Sequence, residues 1–238
     1  MAGKRVRAAA RQNLLIDADD TLWENNIYFE SAFESFCEFL AHSTMTPVEV
    51  RAALDEIEIV NARVHGYGSR NFARNLKQCY ERLVERAIQP GDVERVMRFA
   101  EDILEQPIEL IDGVQETLEY LASRHDLTLF TKGDREEQKL KVDRSGLGIY
   151  FGHTAIVKEK NAAAYRAIVS ERRLAPERTW MVGNSPKSDI NPALEAELNA
   201  VFVPHARTWS LEREELKPVP GRFVQVARFA DLCELFHS

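Results

Sequence analysis

The run Leu14-Leu15-Ile16-Asp17-Ala18-Asp19-Asp20-Thr21-Leu22-Trp23 decides how the rest of the chain is read. Three apolar residues lead straight into an acid, and a second acid follows two positions later. A short unbroken apolar run is the pattern of a strand buried on both faces of a parallel sheet. Open parallel sheets bind their ligands just beyond the carboxyl ends of the strands. Asp17 falls at that edge, and Asp19 lies in the loop leaving it. Two carboxylates so close can divide their roles if their surroundings push their pKa values apart, one attacking or binding a metal and the other handling protons. The plainer alternative is a strand that closes in an acidic turn, because Asp is a common turn residue. The other strand ends decide between the two.

Directly after Trp23 the period changes. Phe29, Ala32, Phe33, Phe36, Phe39 and Leu40 recur at helical spacing, which predicts an amphipathic helix ending near His42. Thr46-Pro47 reads as a helix start, with Val50, Leu54, Ile57 and Val60 as its stripe. Gly66-Tyr67-Gly68-Ser69 is a break. A third helix follows through Phe72, Leu76, Tyr80, Leu83 and Ala87, stopped by Pro90-Gly91, and a fourth runs from Val93 through Leu104 to Pro107. From Asp112 onward, helices at 113–123, 134–144, 161–173 and 192–198 alternate with strands at 127–131, 153–157, 179–183 and 200–203. A weak strand at 222–226 and a terminal helix through Phe229, Leu232 and Leu235 complete the chain. Alternation of this length predicts an α/β fold, a Rossmann-like doubly wound parallel sheet with helices on both faces. Residues 13–24 and 108–238 would form that domain, 25–107 an inserted helical module, and 1–12 a frayed basic arm.

Composition narrows the function. A chain of 238 residues can bury a core without disulfides or structural metal. Cys37, Cys79 and Cys233 have neither metal-ligand spacing nor disulfide density, which fits packed thiols in a reducing, cytoplasmic compartment. No apolar run approaches a membrane span. A net charge of −7 argues against a general nucleic-acid binder. It leaves open a small anionic partner, since a metal ion and a few lysines reverse a local field.

The strand ends carry matching groups. Thr131-Lys132-Gly133-Asp134 offers a hydroxyl, a lysine, a permissive glycine and a helix start, a combination suited to phosphate, although a Thr and a Gly-Asp turn also close strands for local reasons. Lys158 and Lys160 follow the third strand, and either could reach back to an anion; surface lysines are the commoner case. Gly183-Asn184-Ser185-Pro186-Lys187-Ser188-Asp189 ends the fourth, where Asp189 could join Asp17 in an oxygen-ligand site for a hard cation such as Mg2+.

As an ordered set these groups resemble the haloacid dehalogenase (HAD) superfamily. Its Asp-x-Asp-x-Thr motif is matched by Asp17, Asp19 and Thr21, its strand-end hydroxyl by Thr131, its lysine by Lys160 or failing that Lys158, and its late acid by Asp189. The helical insertion corresponds to the superfamily's cap between the first and second motifs. The resemblance implies Mg2+-dependent hydrolysis of a small phosphorylated metabolite through an aspartyl-phosphate. Asp17 would be nucleophile, Asp19 acid and base, and Thr131, Lys132 and Lys160 phosphate-binding. Asp17, Asp19 (through its carbonyl) and Asp189 would hold the metal. Asp20 replaces a glycine common at its position, and Asn184 replaces an acid, leaving Asn184 a supporting role. The cap would select the ester, with His65, Tyr67 and Arg70 in the polar stretch 61–71 as candidates for meeting the leaving group, or that stretch is a solvated interhelical loop.

Two rivals remain. A 2-haloacid dehalogenase shares the fold and the Asp nucleophile but needs neither Mg2+ nor an acid at 19. A phospho-accepting or binding module would use Asp17 without turnover, and a large cap is of little use to it.

Overall fold

The computed structural model describes residues 11–237. The arm expected at 1–12 therefore lies, for its first ten residues, outside the described residues. Gln12 belongs to the folded unit instead: it is buried, its amide donates to His125 Nδ1 at 3.2 Å, and its side-chain oxygen accepts from Trp180 Nε1 at 3.2 Å. The chain divides into two compact units, one formed by the residues up to Glu24 together with Ile108 onward, the other by Asn25–Pro107.

The first unit opens with β1 (Asn13–Ile16), whose Leu14, Leu15 and Ile16 are completely buried. The helical unit then supplies α1 (Asn26–Leu40), α2 (Pro47–His65), α3 (Ser69–Leu83) and α4 (Asp92–Glu101), closed by a 3-10 turn at Asp102–Glu105. Thr46 caps α2 in a capping box with Glu49. Phe36, Leu54, Phe72, Leu76, Tyr80 and Val96 fill the core of this unit. The third helix ends at Leu83, short of the expected stop at Pro90-Gly91, because Val84 turns extended. The carboxylate of Asp92 organises the intervening segment, accepting the Gln89 amide at 2.7 Å and Arg86 Nη1 at 2.7 Å.

Back in the first unit, α5 (Val114–Ala122) leads to β2 (Asp126–Lys132), α6 (Arg135–Ser145) to β3 (His153–Val157), and α7 (Ala162–Arg172) to β4 (Thr179–Gly183). A π-turn at Pro186–Ile190 and the short α8 (Asn191–Glu195) precede β5 (Asn199–Phe202), and β6 (Phe223–Gln225) and α9 (Leu232–Leu235) end the unit. The six strands form one sheet in the order β3-β2-β1-β4-β5-β6, and every pairing is parallel. Alternate residues of β1 face opposite layers. Leu14 and Ile16 pack with Val114, Leu118 and Leu232, whereas Leu15 packs with Tyr165, Ile168 and Ala193. Both faces are thus covered, and the apolar run of β1 is the consequence of its central place. The chain builds outward from β1 through β2 and β3 on one side, then returns to build β4, β5 and β6 on the other. The loops after β1 and β4 therefore part at the switch point where such sheets bind ligands.

Candidate active site

The β1–β4 ladder runs one residue past β1, with the Asp17 amide donating to Val182 O at 2.9 Å. This pins Asp17 at the sheet edge with its side chain buried among the ends of other strands. Lys160, which lies just ahead of α7, is 3% exposed and donates from Nζ both to Asp17 Oδ1 and to Asp189 Oδ1, the latter at 2.8 Å. Lys158 is exposed, so of the two candidate lysines only Lys160 enters this cluster. The Thr21 hydroxyl sits 3.0 Å from Asp17 Oδ2 and 3.3 Å from Asn184 Oδ1, bridging the loops after β1 and β4. Asn184 in turn donates to Thr208 Oγ1 at 2.9 Å.

Asp189 rides on the π-turn and takes the Ser185 amide on Oδ2 at 2.9 Å. Gly183 is required beneath it: a Cβ there would lie 2.2 Å from Asp189 Oδ2 and 2.9 Å from its Cβ. Asp20, which stands where a glycine is common, adopts a left-handed backbone with φ 58°, which Asp tolerates better than most residues.

Asp19 is held differently. Both its oxygens lie 2.7 Å from Lys141 Nζ, and it also accepts from Gln138 Nε2 and Trp23 Nε1 at 2.8 Å each. Gln138 and Lys141 share one face of α6, three residues apart, and nothing in the sequence pointed to them. Gly133 leaves the space through which Gln138 reaches Asp19.

These contacts set the ionisation. Burial, followed by the neighbouring Asp189 carboxylate, pushes Asp17 up to about 7 against the pull of Lys160. Burial also opposes the charge on Asp19, but Lys141, Gln138 and Trp23 outweigh it and hold that carboxyl below its ordinary range. For Lys160, burial is outweighed by Asp17 and Asp189, and its ammonium is favoured. Three carboxylates, Asp17, Asp19 and Asp189, therefore face two ammonium groups, Lys141 and Lys160, leaving a deficit of positive charge in a buried place. Two carboxylate oxygens at a sheet edge with unmatched negative charge are a donor set that fits a hard divalent cation, whose other positions are taken by carbonyls, waters and phosphate oxygens.

The other expected residues fall around this cluster. Thr131 is buried next to the end of β2, the neighbour of β1. Lys132 Nζ meets Glu212 Oε1 at 2.6 Å and Ser188 Oγ at 2.8 Å, an ion pair that sequence reasoning missed. In the helical unit the polar stretch 61–71 proves to be mostly helix. Asn61 is buried and donates to Asn75 Oδ1 and Gln78 Oε1, His65 ends α2, and Arg70 already belongs to α3. Only Gly66, Tyr67 and Gly68 form the turn, closed by Asn71 Nδ2 donating to Gly66 O at 2.7 Å. A further group, Asp20, Glu24 and His205, brings ligand atoms within 4.8 Å of one another, with His205 Nε2 3.3 Å from Glu24 Oε1. Among the described residues no helix is long and apolar enough to cross a membrane.

A doubly wound parallel sheet with a buried carboxylate at the end of its central strand and a lysine and second acid converging on it defines a class of α/β hydrolases. The chain matches the family model of haloacid dehalogenase-like hydrolases over residues 12–197, and it belongs to that family. Its fold is similar to that of a haloacid dehalogenase-like family hydrolase from Xanthomonas campestris (TM-score 0.78, 29% identity, 91% of this chain and 89% of that one). It is also similar to a predicted phosphoglycolate phosphatase from Haemophilus somnus 129PT (TM-score 0.66, 16% identity, 94% and 97%). A third neighbour is a 2-haloacid dehalogenase from Pseudomonas syringae pv. Tomato DC3000 (TM-score 0.63, 17% identity, 94% and 97%). No curated protein sequence gives a match. The chain is a hydrolase of this family, and its neighbours include a predicted phosphatase and a 2-haloacid dehalogenase.

Proposed function

We propose that the protein is a Mg2+-dependent phosphatase that hydrolyses a small phosphorylated metabolite through an aspartyl-phosphate on Asp17. The observation that carries this reading is the sharing of Lys160 by Asp17 and Asp189, with one carboxylate more than the site's ammonium groups balance. Asp17 and Asp189 would hold the cation, with the Asp19 carbonyl contributing. Bound there, Mg2+ supplies the missing positive charge, favouring ionised Asp17 and offsetting charge on the phosphoryl oxygens.

The chain's own residues do the rest. Asp17 Oδ attacks phosphorus, the bond to the ester oxygen breaks, and that oxygen leaves with the proton of the Asp19 carboxyl. Water then attacks phosphorus, the Asp17–phosphorus bond breaks, and the water proton passes to Asp19. Asp19, held ionised by Lys141, is already in the form that accepts a proton. To donate in the first step Asp19 first takes up a proton from solvent, which follows once the dianionic ester draws Lys141 away and removes the charge that holds the carboxylate ionised. Lys160 and Thr131 steady the phosphoryl oxygens as charge moves, the larger part of catalysing this transfer. The free cysteines fit a reducing, cytoplasmic compartment.

The acid at 19, fixed by three donors, favours phosphate over halide as the leaving chemistry, because displacement of halide at carbon needs no proton donor. The test is a panel of phosphate monoesters and 2-haloacids, each with Mg2+ and with EDTA, run beside Asp17→Asn. Ester hydrolysis that vanishes with EDTA and in the variant is expected. Halide release that survives EDTA would replace the proposal with the dehalogenase.

A further inference from the structure

Beyond residue 197, where the family match stops, one buried acid reaches into the site. Glu212 lies in a 3-10 turn at Ser210–Glu212 and is 8% exposed. Its two oxygens are divided between two strand-end loops. Oε1 receives Lys132 Nζ at 2.6 Å, from the end of β2, and Oε2 receives Ser185 Oγ at 2.6 Å, from the loop after β4. Lys132 also donates to Ser188 Oγ at 2.8 Å, and the Ser188 amide donates to Ser185 Oγ at 2.9 Å, so the serine–lysine–glutamate ring is closed. The Ser185 amide then holds Asp189 Oδ2, and Asp189 Oδ1 takes Lys160, which holds Asp17. An unbroken line of hydrogen bonds thus runs from Glu212 to the nucleophile. Burying a carboxylate is costly unless it is fully partnered, and here the partners are all groups that fix the loop carrying Asp189.

We propose that Glu212 is a positioning residue for the cation site: through Ser185 it sets where the Asp189 carboxylate points, and through Lys132 it ties the end of β2 to the same loop. The proposal rests on the reading of Asp17 and Asp189 as the cation's ligands. Residues that orient a metal ligand from behind commonly change affinity by about 10- to 100-fold when removed.

The test is Mn2+ binding to the full chain, followed by electron paramagnetic resonance without substrate. Glu212→Ala should bind about tenfold more weakly than the wild type, and Ser185→Ala should show a comparable loss. The double variant should lose little more than either alone, because both cut the same link. Glu212→Gln, which keeps an acceptor for Ser185 but not the charge for Lys132, should retain part of the affinity and covers the case in which the alanine variant does not fold. Glu159→Gln removes the outlying partner of Lys132, 3.6 Å away, and should bind as wild type. Folded Glu212→Ala and Glu212→Gln proteins with undiminished Mn2+ affinity would overturn the positioning role. Wild-type binding that persists in Asp17→Asn/Asp189→Asn would instead overturn the cation site itself, and this inference with it.

Discussion

The two units bury polar groups in opposite ways. In the helical unit the buried charged groups and most buried amides are matched to fixed partners, Asn61 to Asn75 and Gln78, Glu58 to Arg51, and Asp92 to Tyr80, Arg86 and the Gln89 amide, with Asn71 Oδ1 the exception. In the α/β unit the charges at the sheet edge do not balance, and Asp17 and Asp189 compete for one ammonium. Matched burial keeps a fold in one arrangement, while unmatched burial costs stability and persists where chemistry needs it. The contrast predicts that changes at the sheet edge remove activity and leave stability, whereas changes in the helical unit do the reverse.

The sharpest way to break that contrast is Asp17→Asn. It removes the carboxylate proposed as nucleophile and leaves Lys160 paired one-to-one with Asp189. Turnover of any substrate found in the panel should fall by about 10³-fold or more, while the melting temperature stays level or rises. A variant that keeps its activity, or melts well below the wild type, would erase the distinction. Leu76→Ala tests the other unit. Leu76 is fully buried in the helical core, and its truncation should cost about 2–5 kcal/mol, read by urea unfolding.

How much of this was legible beforehand follows the same division. The apolar run before Asp17 marked the central strand because burial on both faces leaves no polar positions. Asp189, and Lys160 with Lys158 as its alternative, could be named as candidates because each follows closely after a strand. Gln138 and Lys141 were not: α6 carries Leu140 and Val142 as its only apolar residues, so its pattern does not show which face turns inward. Glu212 was hidden for a related reason, lying in an irregular segment with no period to place it. The end of α3 was misjudged because Pro90-Gly91 looks like a stop, whereas Gly91 is the left-handed cap from which α4 starts.

A smaller effect is expected where the loop after β4 crosses the sheet edge. Gly183→Ala would set a methyl against Asp189, whose Cβ is backbone-anchored and cannot swing aside. Displacing that carboxylate by about 1 Å should cost about 10²-fold in activity, with the unfolding midpoint changed far less than in Leu76→Ala. Equal losses in both readouts would mean that Gly183 serves packing, not the site.

The mildest test concerns acid. In the helical unit Arg86, the Gln89 amide and Tyr80 hold the Asp92 carboxyl well below the usual carboxylate range. A group whose folded pKa is depressed contributes stability that is complete above its unfolded pKa, about 3.9, and is lost as pH falls toward the folded value. Asp92→Asn should therefore lower the melting temperature at neutral pH by a few degrees, and the gap to wild type should narrow as pH is taken below about 4. The sheet-edge charges predict the contrary sense for Asp17, whose carboxyl is pushed up to about 7: its ionised form is a burden on the fold, not a support. A gap between Asp92→Asn and wild type that stays constant from neutral to acid would show that Asp92 acts by shape alone. The helical unit would then owe its matched polar interior to packing, with charge contributing nothing to the contrast between the two units.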